Sequence, residues 1–81
     1  MYLEIITPDR KVYSGEVIGV NFPGTDGLFE VLNNHAPLIS TLGKGNIKIK
    51  ASGEEKNVVI DGGLVEVLNN KVIVLAEAVI G

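Results

Sequence analysis

Eighty-one residues hold one domain, because surface scaling lets a chain of this size bury about 60% of its unfolded surface around a single core and leaves no room for a second. Hydrophobic residues make up 46% of the chain and aromatics 5%, with no tryptophan and no cysteine, so the core is aliphatic. Stacking platforms for single-stranded nucleic acid are thereby nearly unavailable, and disulfides and thiolate metal sites are excluded. Ten acidic against seven basic residues leave a net charge of -3, which opposes attraction to nucleic acid or to a bare anionic membrane.

The first segment, Tyr2 to Ile6, reads as a strand, and its Glu4 stands where a secretory signal needs positive charge before a long apolar run. Strands are expected next over Lys11 to Tyr13 and Glu16 to Phe22. The stretch Pro23-Gly24-Thr25-Asp26-Gly27 then reads as a wide turn whose tip is open to a partner. Leu28 to Leu32 and Leu38 to Leu42 flank Asn33-Asn34-His35-Ala36-Pro37, and those Asn and Pro residues break the longest helical candidate. Gly43-Lys44-Gly45 reads as a hairpin turn, since it lacks the full spacing of a phosphate-binding loop.

From Asn46 the pattern sharpens. Ile47, Ile49 and Ala51 alternate with Lys48 and Lys50, a period of two that turns aliphatics inward and ammonium groups into water. Val58 and Ile60, Val65 and Val67, then Val72, Val74 and Ala76 continue the alternation. The predicted core is therefore Ile47, Ile49, Val58, Ile60, Val65, Val67, Val72 and Val74. On the opposite faces stand Leu64, Leu68, Ile73 and Leu75, which must go either between sheets or against another protein. Turns near every tenth residue and about nine or ten short strands exceed what one open sheet of this size holds, which predicts one all-β sandwich domain over residues 1–81.

Little of the chain suggests chemistry. His35 is the single histidine, Asp and Glu do not cluster, and Ser14, Ser40 and Ser52 lie in no nucleophile elbow. Glu54, Glu55 and Glu66 fit solvated turn and strand positions. No catalytic residue, metal ligand or cofactor site is therefore assigned. The loop around His35 is the densest functional-looking stretch, readable either as a histidine satisfying local backbone or as a binding loop.

Several of these segments together resemble a known family. Thr7-Pro8-Asp9-Arg10-Lys11-Val12-Tyr13-Ser14-Gly15-Glu16-Val17, Pro23-Gly24 through Gly27, Asn34-His35-Ala36-Pro37-Leu38, Gly45-Asn46-Ile47 and Gly62-Gly63-Leu64-Val65-Glu66-Val67 are similar, in order and spacing, to the N-terminal domain of the epsilon subunit of F-type ATP synthases, called delta in mitochondria. The resemblance implies a flattened ten-stranded sandwich of two five-stranded sheets. It implies a non-catalytic rotor subunit at the foot of the central stalk, coupling proton flow to ATP synthesis.

In that family the segments matching Thr7 and His35 to Ser40 face the gamma subunit, which carries Thr7, His35, Ala36, Pro37, Leu38 and Ser40 over as candidate contacts. The loop matching Gly24, Thr25, Asp26, Gly27 and Leu28 lies over the ring of c subunits. Many relatives have an acid at the place of Leu28, which leaves Asp26 as the loop acid here. Membrane association is expected only through the complex, on the cytoplasmic face of an energy-coupling membrane such as the bacterial inner membrane. The family usually continues into a regulatory two-helix hairpin, where nucleotide binding also resides, so these residues are expected neither to bind nucleotide nor to impose the hairpin's block on ATP hydrolysis. The alternative from another class is a lipoyl or biotinyl carrier domain modified at Lys44, although the usual Met-Lys-Met or Asp-Lys-Ala context is missing.

Overall fold

Alternation carries most of the chain into strands in the computed structural model, which describes residues 1–81. The strands are β1 (Tyr2–Ile6), β2 (Lys11–Glu16), β3 (Gly19–Gly24), β4 (Gly27–Leu32), β5 (Leu38–Ala51), β6 (Glu54–Leu68) and β7 (Lys71–Ala76), and no residue is helical. They form one hydrogen-bonded sheet in the order β2-β1-β7-β6-β5-β3-β4. All neighbours are antiparallel except β1 and β7, which run parallel.

Seven strands in one connected sheet replace the expected ten in two. The difference lies in β5 and β6, which stay paired from Leu38↔Val67 to Ala51↔Glu54. Gly43-Lys44-Gly45 is therefore no hairpin turn. Gly43 falls opposite Gly62, between the Leu42–Gly63 and Lys44–Asp61 pairs, and glycines facing each other bend a ladder without ending it. Gly63 is also needed for space, because a Cβ there would stand 2.4 Å from the Leu75 carbonyl oxygen.

The sheet curls over on itself. A single flat layer of Cα atoms has little thickness, whereas the smallest extent of this chain is 20 Å, beside 27 and 25 Å in the other directions. Seventeen buried hydrophobic residues form one cluster that joins both halves of the curl. All eight predicted core residues belong to it, together with Leu3, Ile5, Val20, Phe22, Val31 and Leu42 among others. Ile60, Val65, Val72 and Val74 have no accessible surface at all, which requires cover from a second layer and not merely from neighbours in the same one.

Candidate docking face and hairpin tip

With Leu3, Ile5, Val65, Val67, Val72 and Val74 turned inward, the alternate residues of β1, β6 and β7 and of the first part of β5 point out. Register arranges them in rows. Ile6, Leu75, Leu64 and Thr41 lie side by side across four strands, and the next row is Glu4, Ile73, Glu66 and Ile39. Ile39 is 67% exposed and Leu75 52%, so this is an apolar strip facing solvent. One depression of about 130 Å³ is lined by Ile39, Leu64, Glu66, Ile73 and Leu75, and a second of about 440 Å³ by Ile6, Thr7, Pro8, Leu75, Ala76 and Glu77. They share Leu75. Of the carboxylates on the strip, Glu4 is paired with Lys11 at 2.8 Å. That hydrogen bond, reinforced by the carboxylate's charge, raises the Lys11 pKa above its ordinary value.

The residues expected to meet a partner frame this strip at its corners. Thr7 closes the turn after β1, its hydroxyl donating to the Arg10 carbonyl at 3.2 Å and accepting from the Arg10 N–H at 3.3 Å. Three strand steps across the sheet and at the opposite end of the strands, the chain from His35 enters β5, where Leu38 shares a row with Leu3. His35 is half-buried, donates its backbone N–H to the Leu32 carbonyl at 3.1 Å and holds Nδ1 2.7 Å from the Ala36 carbonyl. Local backbone thus occupies one ring nitrogen.

Ala36 and Pro37 are exposed, while Leu38 is half-buried and packs on the core cluster. Ser40 shares the inward side of β5 with Leu38 and Leu42, and its hydroxyl donates to the Thr41 carbonyl at 3.3 Å. The outward positions of this segment belong to Ile39 and Thr41, which the local sequence pattern alone does not single out. Alternation around the inward Leu38 and Leu42 is the signal that identifies them.

The loop itself is tied down by asparagines. Asn70 donates from Nδ2 to Asn33 Oδ1 at 2.9 Å, and its Oδ1 accepts from the Asn34 N–H at 2.8 Å. Asn34, Asn69 and Asn70 all have positive φ, at 63°, 51° and 60°. Asparagine tolerates that region better than most side chains, and here it supplies the lateral bonds as well.

The second candidate segment is narrower than expected. Gly24 pairs with Gly27, so the tip is a two-residue turn at Thr25-Asp26 and not a wide loop. Asp26 is exposed, and Leu28, opposite Pro23 on β4, is 85% exposed, the most open large apolar side chain of the chain. Lys44, the residue a carrier domain would modify on a hairpin tip, instead lies within β5 opposite Asp61. No three His, Cys, Asp or Glu side chains gather where a metal would bind.

The fold and surface define a small all-β domain organised around an exposed apolar sheet face and a hairpin tip. Residues 1–81 match the family described as the ATP synthase delta/epsilon chain beta-sandwich domain, and the chain belongs to that family. It is 48% identical over 77 residues to the ATP synthase epsilon chain of Maridesulfovibrio salexigens and 51% over 76 residues to that of Pelotomaculum thermopropionicum, covering 95% and 94% of this chain but 54% and 57% of those proteins. The chain thus spans about half the length of these curated relatives. Against the epsilon chain of Chlorobium limicola it is 44% identical over 78 residues, covering 95% of this chain and 89% of the relative.

Its fold is shared by a chain in the central stalk/c-ring structure of the Tetrahymena thermophila mitochondrial ATP synthase, with a TM-score of 0.86 at 16% identity over 98% of this chain and 64% of that one. A chain of the Euglena gracilis mitochondrial ATP synthase structure superposes with a TM-score of 0.90 at 20% identity, over 96% of this chain and 51% of that one.

Proposed function

We propose that this domain is a non-catalytic rotor part of an F-type ATP synthase, seating on the gamma subunit and on the c ring and helping couple proton flow to ATP synthesis. The observation that carries the reading is the apolar strip from Ile6 through Leu75 and Leu64 to Ile39, framed by Thr7 and the His35 loop. Aliphatic area of this kind is stable when a partner covers it. Gamma is the proposed partner at this face, with Thr7, His35, Ala36, Pro37 and Leu38 at its margin and Ser40 behind Ile39. The c ring is the proposed partner at the tip, where Gly24, Thr25, Asp26 and Gly27 form the turn and Leu28 offers an apolar contact. Such a domain works at the cytoplasmic face of a bacterial inner membrane through the complex alone, and its role needs no nucleotide or cofactor.

The curled sheet is read as two layers of five segments, one from β2, β1, β7 and the adjoining ends of β6 and β5, the other from β4, β3, the remaining halves of β5 and β6, and residues 79–81. Support for the fifth segment comes from the Ile60↔Val79 bridge and from the two 2.8 Å bonds that join Val59 to Ile80 and Gly81.

The chain has no cysteine of its own, so single cysteines report cleanly. In the assembled enzyme, His35→Cys and Ile39→Cys are expected to crosslink to gamma and Asp26→Cys to a c subunit. Capture of neither partner, or an exchange of partners between face and tip, overturns the assignment.

A further inference from the structure

We propose that Thr25 and Thr41 form the joint that holds the hairpin tip at a fixed attitude to the docking face, an inference that rests on the functional reading above. Along most of its length the β3–β4 hairpin leans on the far half of β5, where Gly19, Val20 and Asn21 pair with Lys50, Ile49 and Lys48. The register then jumps to Gly24↔Leu42, passing over the Gly43-Lys44-Gly45 bend. Pro23 fills that bend, since a Cβ on Gly45 would stand 2.7 Å from the proline Cβ.

Beyond the jump the tip reaches the near half of β5, the half that carries the docking face. There the Thr25 N–H donates to the Thr41 carbonyl at 3.2 Å, and the two threonine hydroxyls are 2.8 Å apart, the ordinary length of an O–H···O bond. Thr41 itself stands in the row with Leu64, Leu75 and Ile6. A displacement of the tip therefore has two routes to the docking face. One runs through the glycine bend, which yields easily; the other crosses the paired threonines directly.

Water competes for an exposed hydroxyl pair, so the bond adds direction more than stability. Thr25 and Thr41 are positioning residues. Loss of the hydroxyl pair lets the tip swing relative to the docking face, and a rotor part with a loose tip slips under load.

The test uses the complete subunit, unaltered and as Thr41→Val and Thr41→Ser, reconstituted into the proton-translocating enzyme. Valine keeps shape and strand preference but deletes the hydroxyl, and serine returns it. Hydrogen exchange at the Thr25 amide, whose acceptor is the unchanged Thr41 carbonyl, is expected to speed up about twofold in Thr41→Val as the tip loosens. Proton pumping per ATP hydrolysed is expected to fall in Thr41→Val, with Thr41→Ser restoring both readouts. If the unaltered subunit leaves pumping at the level of subunit-depleted enzyme, the functional reading itself fails. If the unaltered subunit restores pumping and Thr41→Val pumps equally well, or its Thr25 amide exchanges no faster, the joint alone is overturned.

Discussion

Replacing Gly63 by alanine tests how the curl is made. The new Cβ would meet the Leu75 carbonyl oxygen at 2.4 Å, the Ala76 Cα at 3.0 Å and the Leu75 carbonyl carbon at 3.2 Å. All three are backbone atoms of the neighbouring strand. No side chain can rotate away, so β6 and β7 must separate by most of an ångström at the Gly63–Ala76 rung, loosening the burial of Ala76. Overpacking costs about 1–3 kcal/mol, and a rigid backbone neighbour places this case near 2–3 kcal/mol.

Gly53 supplies the comparison. Its φ is 77° in the turn between β5 and β6, and a Cβ there would meet nothing within 4 Å, so alanine costs only backbone conformation, about 1 kcal/mol. An unfolding entropy of about 2.1 cal/mol/K per residue converts 1 kcal/mol into about 6 °C for a chain of this length. Calorimetry is therefore expected to show Gly63→Ala melting about 12–18 °C lower and Gly53→Ala about 6 °C lower. A Gly63→Ala chain at least as stable as Gly53→Ala would refute the close-approach account of the bend.

Other consequences can be measured on the same chain. Ile60→Ala removes a side chain with no accessible surface, so urea unfolding is expected to report a loss of about 2–5 kcal/mol. Ile39→Asp and Leu75→Asp, both at exposed positions, are expected to leave the melting temperature within a few degrees while abolishing capture by gamma; lost stability instead would place these side chains in the fold. The pKa of Lys11 lies above its ordinary value of 10.5 through its bond to Glu4, so the stabilisation is complete below 10.5 and is lost as pH rises through the folded-state value. Melting curves of the unaltered chain and of Glu4→Gln should thus converge at strongly alkaline pH, and a constant difference would argue against the pair.

Period-two alternation made the core legible, because Ile47, Ile49, Val58, Ile60, Val65, Val67, Val72 and Val74 announce their side of the sheet in one dimension. The same pattern reaches Ile39 and Thr41 once β5 is known to start at Leu38. What alternation does not encode is continuity across glycine. Gly43 and Gly45 look like chain reversal until Gly62 is found opposite Gly43 and Ile60 opposite Gly45, and that fact is non-local: it depends on the register of residues about twenty apart. The tip misled in the opposite direction. Five turn-forming residues suggest a wide loop, yet Pro23 and Gly24 complete β3 and only Thr25 and Asp26 remain to turn. The lateral bonds of Asn70 likewise join turns 36 and 37 residues apart, beyond the reach of any local pattern.

The two outer faces of the curl differ although both arise from the same alternation. Across β4, β3, β5 and β6 the outward positions include Glu30, Asn21, Lys48 and Asn57 in one row, with Lys50 bonded to Glu30 at 2.8 Å nearby, a face suited to water. The other presents Ile6, Ile39, Leu64, Ile73 and Leu75. Complete burial of an aliphatic side chain contributes about 1.5–3 kcal/mol, and these five are already partly covered, so a flat partner gains about 5–8 kcal/mol from them. Association costs about 4–15 kcal/mol, so the strip by itself holds a partner weakly. Firm seating requires further contacts at the margins, where the Thr7 turn and the asparagine-tied His35 loop sit at diagonally opposite corners of the strip. Their rigidity then matters as much as their chemistry, since a margin already fixed by Arg10 and Asn70 loses little freedom when a partner arrives.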